Sequence, residues 1–273
     1  FQMVAEIKEV ALPYNDCAVI GLELNAANVG ESPPTVSVGW GGILVQVPNN
    51  YNVTTRARTG NWNGLFASTR QLTDNPAWII YDLLTHPRYG MGIDPANIDH
   101  QSFEAAAIYN DEMVANGKGG TEPRFTFNYQ FMTQENAFTR IQAVASVCNA
   151  VVYTNGQQVM LVQDRPTNVT RIITNSNVVD GNFERQGSTL DSRTTQAICY
   201  YNDPEQNWLS FPVVYPESDS NPGVERYGLN SVEITGEGIT SWGQAHRKAK
   251  YEVETALANT ELLTFQVGFA NAD

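Results

Sequence analysis

Histidine and cysteine are scarce, with three of each in 273 residues. His86, His100 and His246 stand far apart with no cysteine at ligand spacing, so no zinc-type centre is written in the chain. Cys17, Cys148 and Cys199 are too few and too scattered for a disulfide framework. They read as buried free thiols, which suits a reducing compartment without requiring one. Long apolar runs are missing too. Nothing approaches the ~20 residues of a membrane span, and no basic-then-apolar leader opens the chain. Charge is thin at 16%, and bases are the rarer kind: 16 Lys and Arg face 29 Asp and Glu, a formal net charge of −13. A surface this acidic repels a phosphate backbone. Sequence-specific nucleic-acid binding, docking on anionic membranes and membrane insertion are therefore not expected of this segment.

Catalytic signatures are equally sparse. There is no G-x-x-x-x-G-K-[ST] phosphate loop, and Gly117-Lys118-Gly119-Gly120 lacks the helix start that would make it one, so it reads as a turn. No G-x-S-x-G elbow occurs. The nearest approach to paired carboxylates is Asp111-Glu112, or Glu252 with Glu254. Neighbours on a helix point apart, so solvated helix faces explain both pairs better than a hydrolytic site. The expectation is of no catalytic, cofactor-binding or metal-binding residue, no cofactor and no enzyme. Among the aromatics, Trp62 with neighbouring Tyr51 is the best candidate for exposure, whereas Trp78 and Trp242 sit near helix starts and read as core. That leaves a carbohydrate-binding or adhesin-like module as the alternative to a structural role.

What is present can build a core: 42% hydrophobic and 10% aromatic residues, punctuated by 21 Gly and 13 Pro. Residues 3–25 read as two strands around Pro13-Tyr14-Asn15-Asp16, and Thr35–Val47 as a third stretch. Residues 49–66 form a long polar loop, the foremost candidate for an intersubunit arm. Asn75-Pro76 opens a helix that His86-Pro87 closes, with Ile79, Ile80, Leu83 and Leu84 on its apolar face. A second helix is predicted over Gln101–Asn116, then a strand over Arg124–Met132. A third helix follows, capped by Thr133 and striped with Phe138, Ile141, Ala145 and Cys148. Asn155-Gly156 predicts a two-residue hairpin turn between residues 151–154 and 157–162. Strands are predicted over 171–174, 183–190, 194–201, 209–215 and 231–235. Ser241 with Gln244 then forms a capping box for a final helix, whose face carries Trp242, Ala245, Ala249, Val253 and Ala256. The first residues, Phe1-Gln2-Met3-Val4, and the run Phe265–Phe269 both read as strand, which leads to the expectation of an interior piece of a longer protein.

The run from Asn75 to Gly90, NPAWIIYDLLTHPRYG, resembles a signature stretch of the central tail-tip, host-specificity proteins (the tip attachment protein J family) of lambda-like long-tailed phages. Further blocks continue the resemblance in order: Gly119–Arg124, Val162–Pro166, Asp203-Pro204 with Trp208, Arg226–Gly228 and Gly243–Arg247. The resemblance implies a structural hub segment from a phage or integrated prophage. It implies a homotrimeric ring at the end of the tail tube, in contact with other tail-tip and tail-tube proteins. That ring would join tube to distal tip and take part in host attachment and DNA passage. It implies residence in the virion tail tip after assembly in the bacterial cytoplasm. The implied fold is α+β, mainly antiparallel β-barrel segments of tail-tube type with an attached helix-rich α+β unit. Residues 1–70 would be a β-rich barrel segment carrying the 49–66 loop, and 71–165 the α+β unit. Residues 166–273 would be a second β-rich barrel segment with a C-terminal helix.

Overall fold

The computed structural model describes residues 21, 38–39, 41–169, 171–187, 189, 193–218 and 221–268. The strands expected over 3–25, part of the 35–47 stretch and Cys17 lie outside them. The chain divides into two compact units at Gly41/Gly42, and every helix and strand described belongs to the second.

Helix α1 (Pro76–Thr85) forms where the sequence asks for it. Asn75 accepts from the Ala77 amide, and proline at the first position loses no hydrogen bond. Its core face is wider than predicted. Trp78, Ile80, Tyr81 and Leu84 are fully buried, while Ile79 and Leu83 are only partly so. Each fully buried large side chain contributes about 1.5–3 kcal/mol of transfer free energy. Helix α2 (His100–Asp111) stops five residues short of the predicted Asn116. Residues 113–115 instead form β1 (Met113–Ala115), which pairs antiparallel with β2 (Thr121–Pro123). The Asn116 side chain closes the turn, accepting from the amides of Lys118 and Gly120.

The strand predicted at 124–132 is an extended segment without a ladder. Phe125 and Phe127 are buried in alternation. Their amides, however, donate to the carbonyls of Asn110 and Asp74, and that of Thr126 to the Gln244 side chain. Helix α3 (Ala137–Val147) is capped by Asn136 rather than Thr133. Its stripe holds at Ile141, Ala145 and Cys148 but not at Phe138, which is exposed. The hairpin β3 (Ala150–Thr154) and β4 (Val159–Gln163) has the expected pairing but a wider turn, with Thr154 opposite Val159. The Asn155 side chain organises that turn by accepting from the amides of Gln157 and Gln158.

Residues 171–174 are not a strand. Next come β5 (Val178–Gly187), β6 (Gln196–Asp203) and β7 (Leu209–Tyr215). Helix α4 (Pro222–Tyr227) and β8 (Ser231–Thr235) follow. Helix α5 (Trp242–Ala258) and β9 (Glu261–Val267) complete the order. β6 is central to a three-stranded sheet, antiparallel to β7 and parallel to β8. Helix α5 covers it through Ala245, Ala249 and Val253. Among the described residues β5 pairs only with β9.

One buried cluster runs from Val45 to Val253 and draws on all of α1, α2, α3, β3, β4, β6 and α5. The α+β class therefore holds. Among the described residues the sheets have two or three strands and stay open, so the mainly β-barrel expectation is not met there. The central β6 has one strand on either side, and helix α5 rather than a second sheet packs against it.

Candidate functional site

The 49–66 loop is fastened down. Isolated bridges pair Val45 with Gln71, Pro48 with Phe66 and Tyr51 with Arg58. The tip is clamped by charge. Arg56 Nη1 lies 2.8 Å and Arg58 Nη2 2.9 Å from the two oxygens of Asp111, whose side chain is 4% exposed. Arg56 also holds Asp74 at 2.6 Å, and Arg58 holds Glu104 at 3.2 Å. The Tyr51 hydroxyl donates to Asp111 at 3.2 Å. Burial and the Asp111 charge push that phenol well above its usual range. Burial likewise raises the Glu104 carboxyl, against the pull of Arg58. The solvated-face reading fails at Asp111 because its carboxylate is buried, paired with arginines more than fifty residues away in the chain. Glu112 does face outward, paired with Arg124.

Trp62 is not a free platform either. Its indole N–H donates to the Leu65 carbonyl at 2.6 Å. Its ring meets Phe66, Trp78 and His100 with centroids 5.2, 5.6 and 5.3 Å away. Tyr51 is buried. The two aromatics named for sugar stacking are thus packed inward.

The remaining candidates sit in structural roles. His86 stacks on Tyr89 at 3.6 Å and accepts from the Arg88 amide. His100 joins the Trp62 cluster, and His246 lies between Trp242 and Tyr215. The Gly117–Gly120 run is the β1–β2 turn, with Lys118 over the Trp242 ring. Glu254 accepts from Tyr215 and pairs with Lys250; no contact brings it to Glu252 among the described residues. Cys148 and Cys199 are buried and free. Burial pushes their thiols up to about 12 and about 11, which leaves them un-ionised and unreactive at neutral pH. No group of three or more metal-ligating side chains forms among the described residues. No helix among them is long and apolar enough to cross a membrane.

Two surface cavities differ in charge. One, about 360 Å³, contains Arg140 between Glu135 and Glu237, with two acids to one base. The other, about 390 Å³, is lined by Arg124, Arg165 and Arg247 against a single acid, Asp164. Its walls are Tyr109, Phe125, Pro166 and Tyr251. Sequence reading missed it, although each arginine lies in one of three separate motif blocks, 119–124, 162–166 and 243–247.

Among known families, residues 136–273 match one described as "Putative phage tail protein". The chain is 30% identical over 266 residues to the tip attachment protein J of Escherichia phage SECphi27, covering 95% of this chain and 22% of that protein. It is 28% identical over 273 residues to its counterpart in Escherichia phage SECphi4, covering 98% and 23%. The chain thus spans less than a quarter of the length of these curated relatives. Among solved structures, the prophage tail protein gp18 of Listeria monocytogenes EGD-e is similar at 17% identity. That match has a TM-score of 0.31 and covers 54% of this chain and 48% of that one.

Proposed function

We propose that this chain, which belongs to the phage tail protein family and is a phage tail component, forms part of the structural hub at the tail tip. The observation that carries the reading is the match of 95% and 98% of its length to two tip attachment proteins. In this role three copies surround the end of the tail tube, join it to the distal tip and to other tail proteins, and open a path for DNA on host attachment. The segments whose sequence reads as strand-rich, 1–70 and 166–273, would contribute barrel-type wall, closed by further copies or segments.

Physical features support such a role. The β5–β9 ribbon exposes Val179, Leu262 and Leu263, and a two-stranded ribbon is marginal until something packs on it. The net charge of −13 suits a conduit that DNA slides through without sticking. An assembled ring with a bore lined by lysine and arginine would sink that sliding argument.

Light scattering tests the assembly. A particle near three times 30.1 kDa is expected, with C3 the symmetry of the closed ring. A chain that stays monomeric at high concentration would show that this segment does not drive the ring.

A further inference from the structure

The extended segment after β2 is a strand without a neighbour. Its root is tied down: the amides of Phe125, Thr126, Phe127 and Asn128 donate to Asn110, Gln244, Asp74 and Gly238. From Tyr129 to Met132 no backbone hydrogen bond forms among the described residues. Tyr129, Phe131 and Met132 are exposed, and the Tyr129 and Phe131 rings pack on each other with centroids 5.4 Å apart. No charged residue occurs from Phe125 to Gln134.

The β5–β9 ribbon has the reciprocal deficit. It holds two strands where about three are needed for a sheet to stand alone. Leu263, Phe265 and Val267 alternate onto one face of β9, and Phe183 stands opposite Phe265. The irregularity between Val178 and Phe183 bends β5, which discourages pairing at its free edge, whereas β9 runs in unbroken register from Glu261 to Phe265. Within one chain the segment and the ribbon do not pair.

We propose that residues 128–132 of one copy add as a third strand to the outer edge of β9 in a second copy. The inference rests on the hub reading and names its contact. Copies of a chain with net charge −13 repel one another, and an uncharged segment can approach Glu184 and Glu261 of the ribbon without like charges meeting. Backbone bonds give strand addition its affinity, and alternate side chains give it specificity. Each copy gives a strand at one surface and receives one at another. Such a contact runs head to tail and closes into a ring when the rotation allows.

The test places cysteines at two exposed residues, Gln130→Cys and Thr264→Cys, and treats the full chain with a short bis-maleimide. Cys148 and Cys199 are buried, and the native chain serves as the blank. The double variant should give a covalent three-chain product on a denaturing gel. An equal mixture of the two single variants should give a two-chain product, and either single variant alone none. Gln130→Pro with Phe131→Pro should abolish association at an unchanged unfolding midpoint, because the two prolines remove a donor from each edge of the segment. Should that variant not fold, amide exchange on the native chain decides: residues 129–132 and β9 should slow together as concentration drives assembly. Cross-linking within one chain, dimers from a single variant, or a three-copy particle without cross-links or without slowed exchange would each overturn the contact and leave the hub reading standing. A native chain that stays monomeric would overturn it together with any ring driven by this segment.

Discussion

Asp111 ties the 49–66 loop to the end of helix α2. It is buried, it takes both arginines of the 49–66 loop, and it accepts from Tyr51. Removing one partner of a buried ionic cluster leaves the others uncompensated, which costs about 3–5 kcal/mol. Asp111→Ala should lower stability by that amount in urea denaturation, and should expose the 52–60 tip to limited proteolysis before global unfolding. A loss below about 1 kcal/mol would show that the arginines find solvent at little cost. His246 carries a different sign of dependence. Burial between Trp242 and Tyr215 lowers its pKa below the ordinary 6.5, helped by Lys250 and Arg247 and opposed by Glu217. The unfolded chain therefore takes up a proton near pH 6.5 that the folded chain resists. The stabilisation is present above that pH and is lost as pH falls through the window beneath it. The urea midpoint should fall between pH 7 and pH 5.5, and it should fall less in His246→Phe. Equal slopes would remove His246 from the account.

Helix α1 shows what local sequence can say. Its cap, its first proline and its C-terminal boundary all come from residues within one turn of the ends, and all were legible. The bounds of β7 and β8 were legible for the same reason. Elements whose backbone groups find partners far along the chain were not. Thr126 bonds to Gln244 across 118 positions, so its extended segment looks like a strand in sequence but has no ladder. Gln244 in turn spends its side chain on Thr126 and not on the amide of Ser241, so the capping box is only half made. The Asp111 clamp and the arginine cavity are non-local in the same way. Which face α1 buries was legible only in part, and this gives an ordering of effects. Leu84→Ala removes a side chain 1% exposed and should cost about 2–5 kcal/mol. Leu83→Ala removes a partly buried one and should cost clearly less. If the order of the two denaturation midpoints were reversed, the packing assigned to α1 would be wrong.

Across the molecule, burial is distributed unevenly, and that predicts where the protein opens. The shared core ties α1, α2, α3, the β3–β4 hairpin, the central β6 and α5 together. The β5–β9 ribbon stands apart from it. Only Val178 among its residues is buried, and the Phe183 and Phe265 rings pack across it with centroids 5.4 Å apart. Its register also slips between Val178 and Phe183. Few buried contacts and exposed ladder bonds place a segment at the low end of local stability. In the isolated chain, amides of β5 and β9 should exchange with solvent by local opening, orders of magnitude faster than those of β6 and α5. On assembly into a tail tip, a ribbon serving as a joint gains partners for Val179, Leu262 and Leu263, and its exchange should slow towards the core rate. Hydrogen exchange on the free chain and on assembled tips separates the cases. Slow exchange in the free chain would mean that the ribbon is already supported without partners. Fast exchange in both states would assign the joint to another surface.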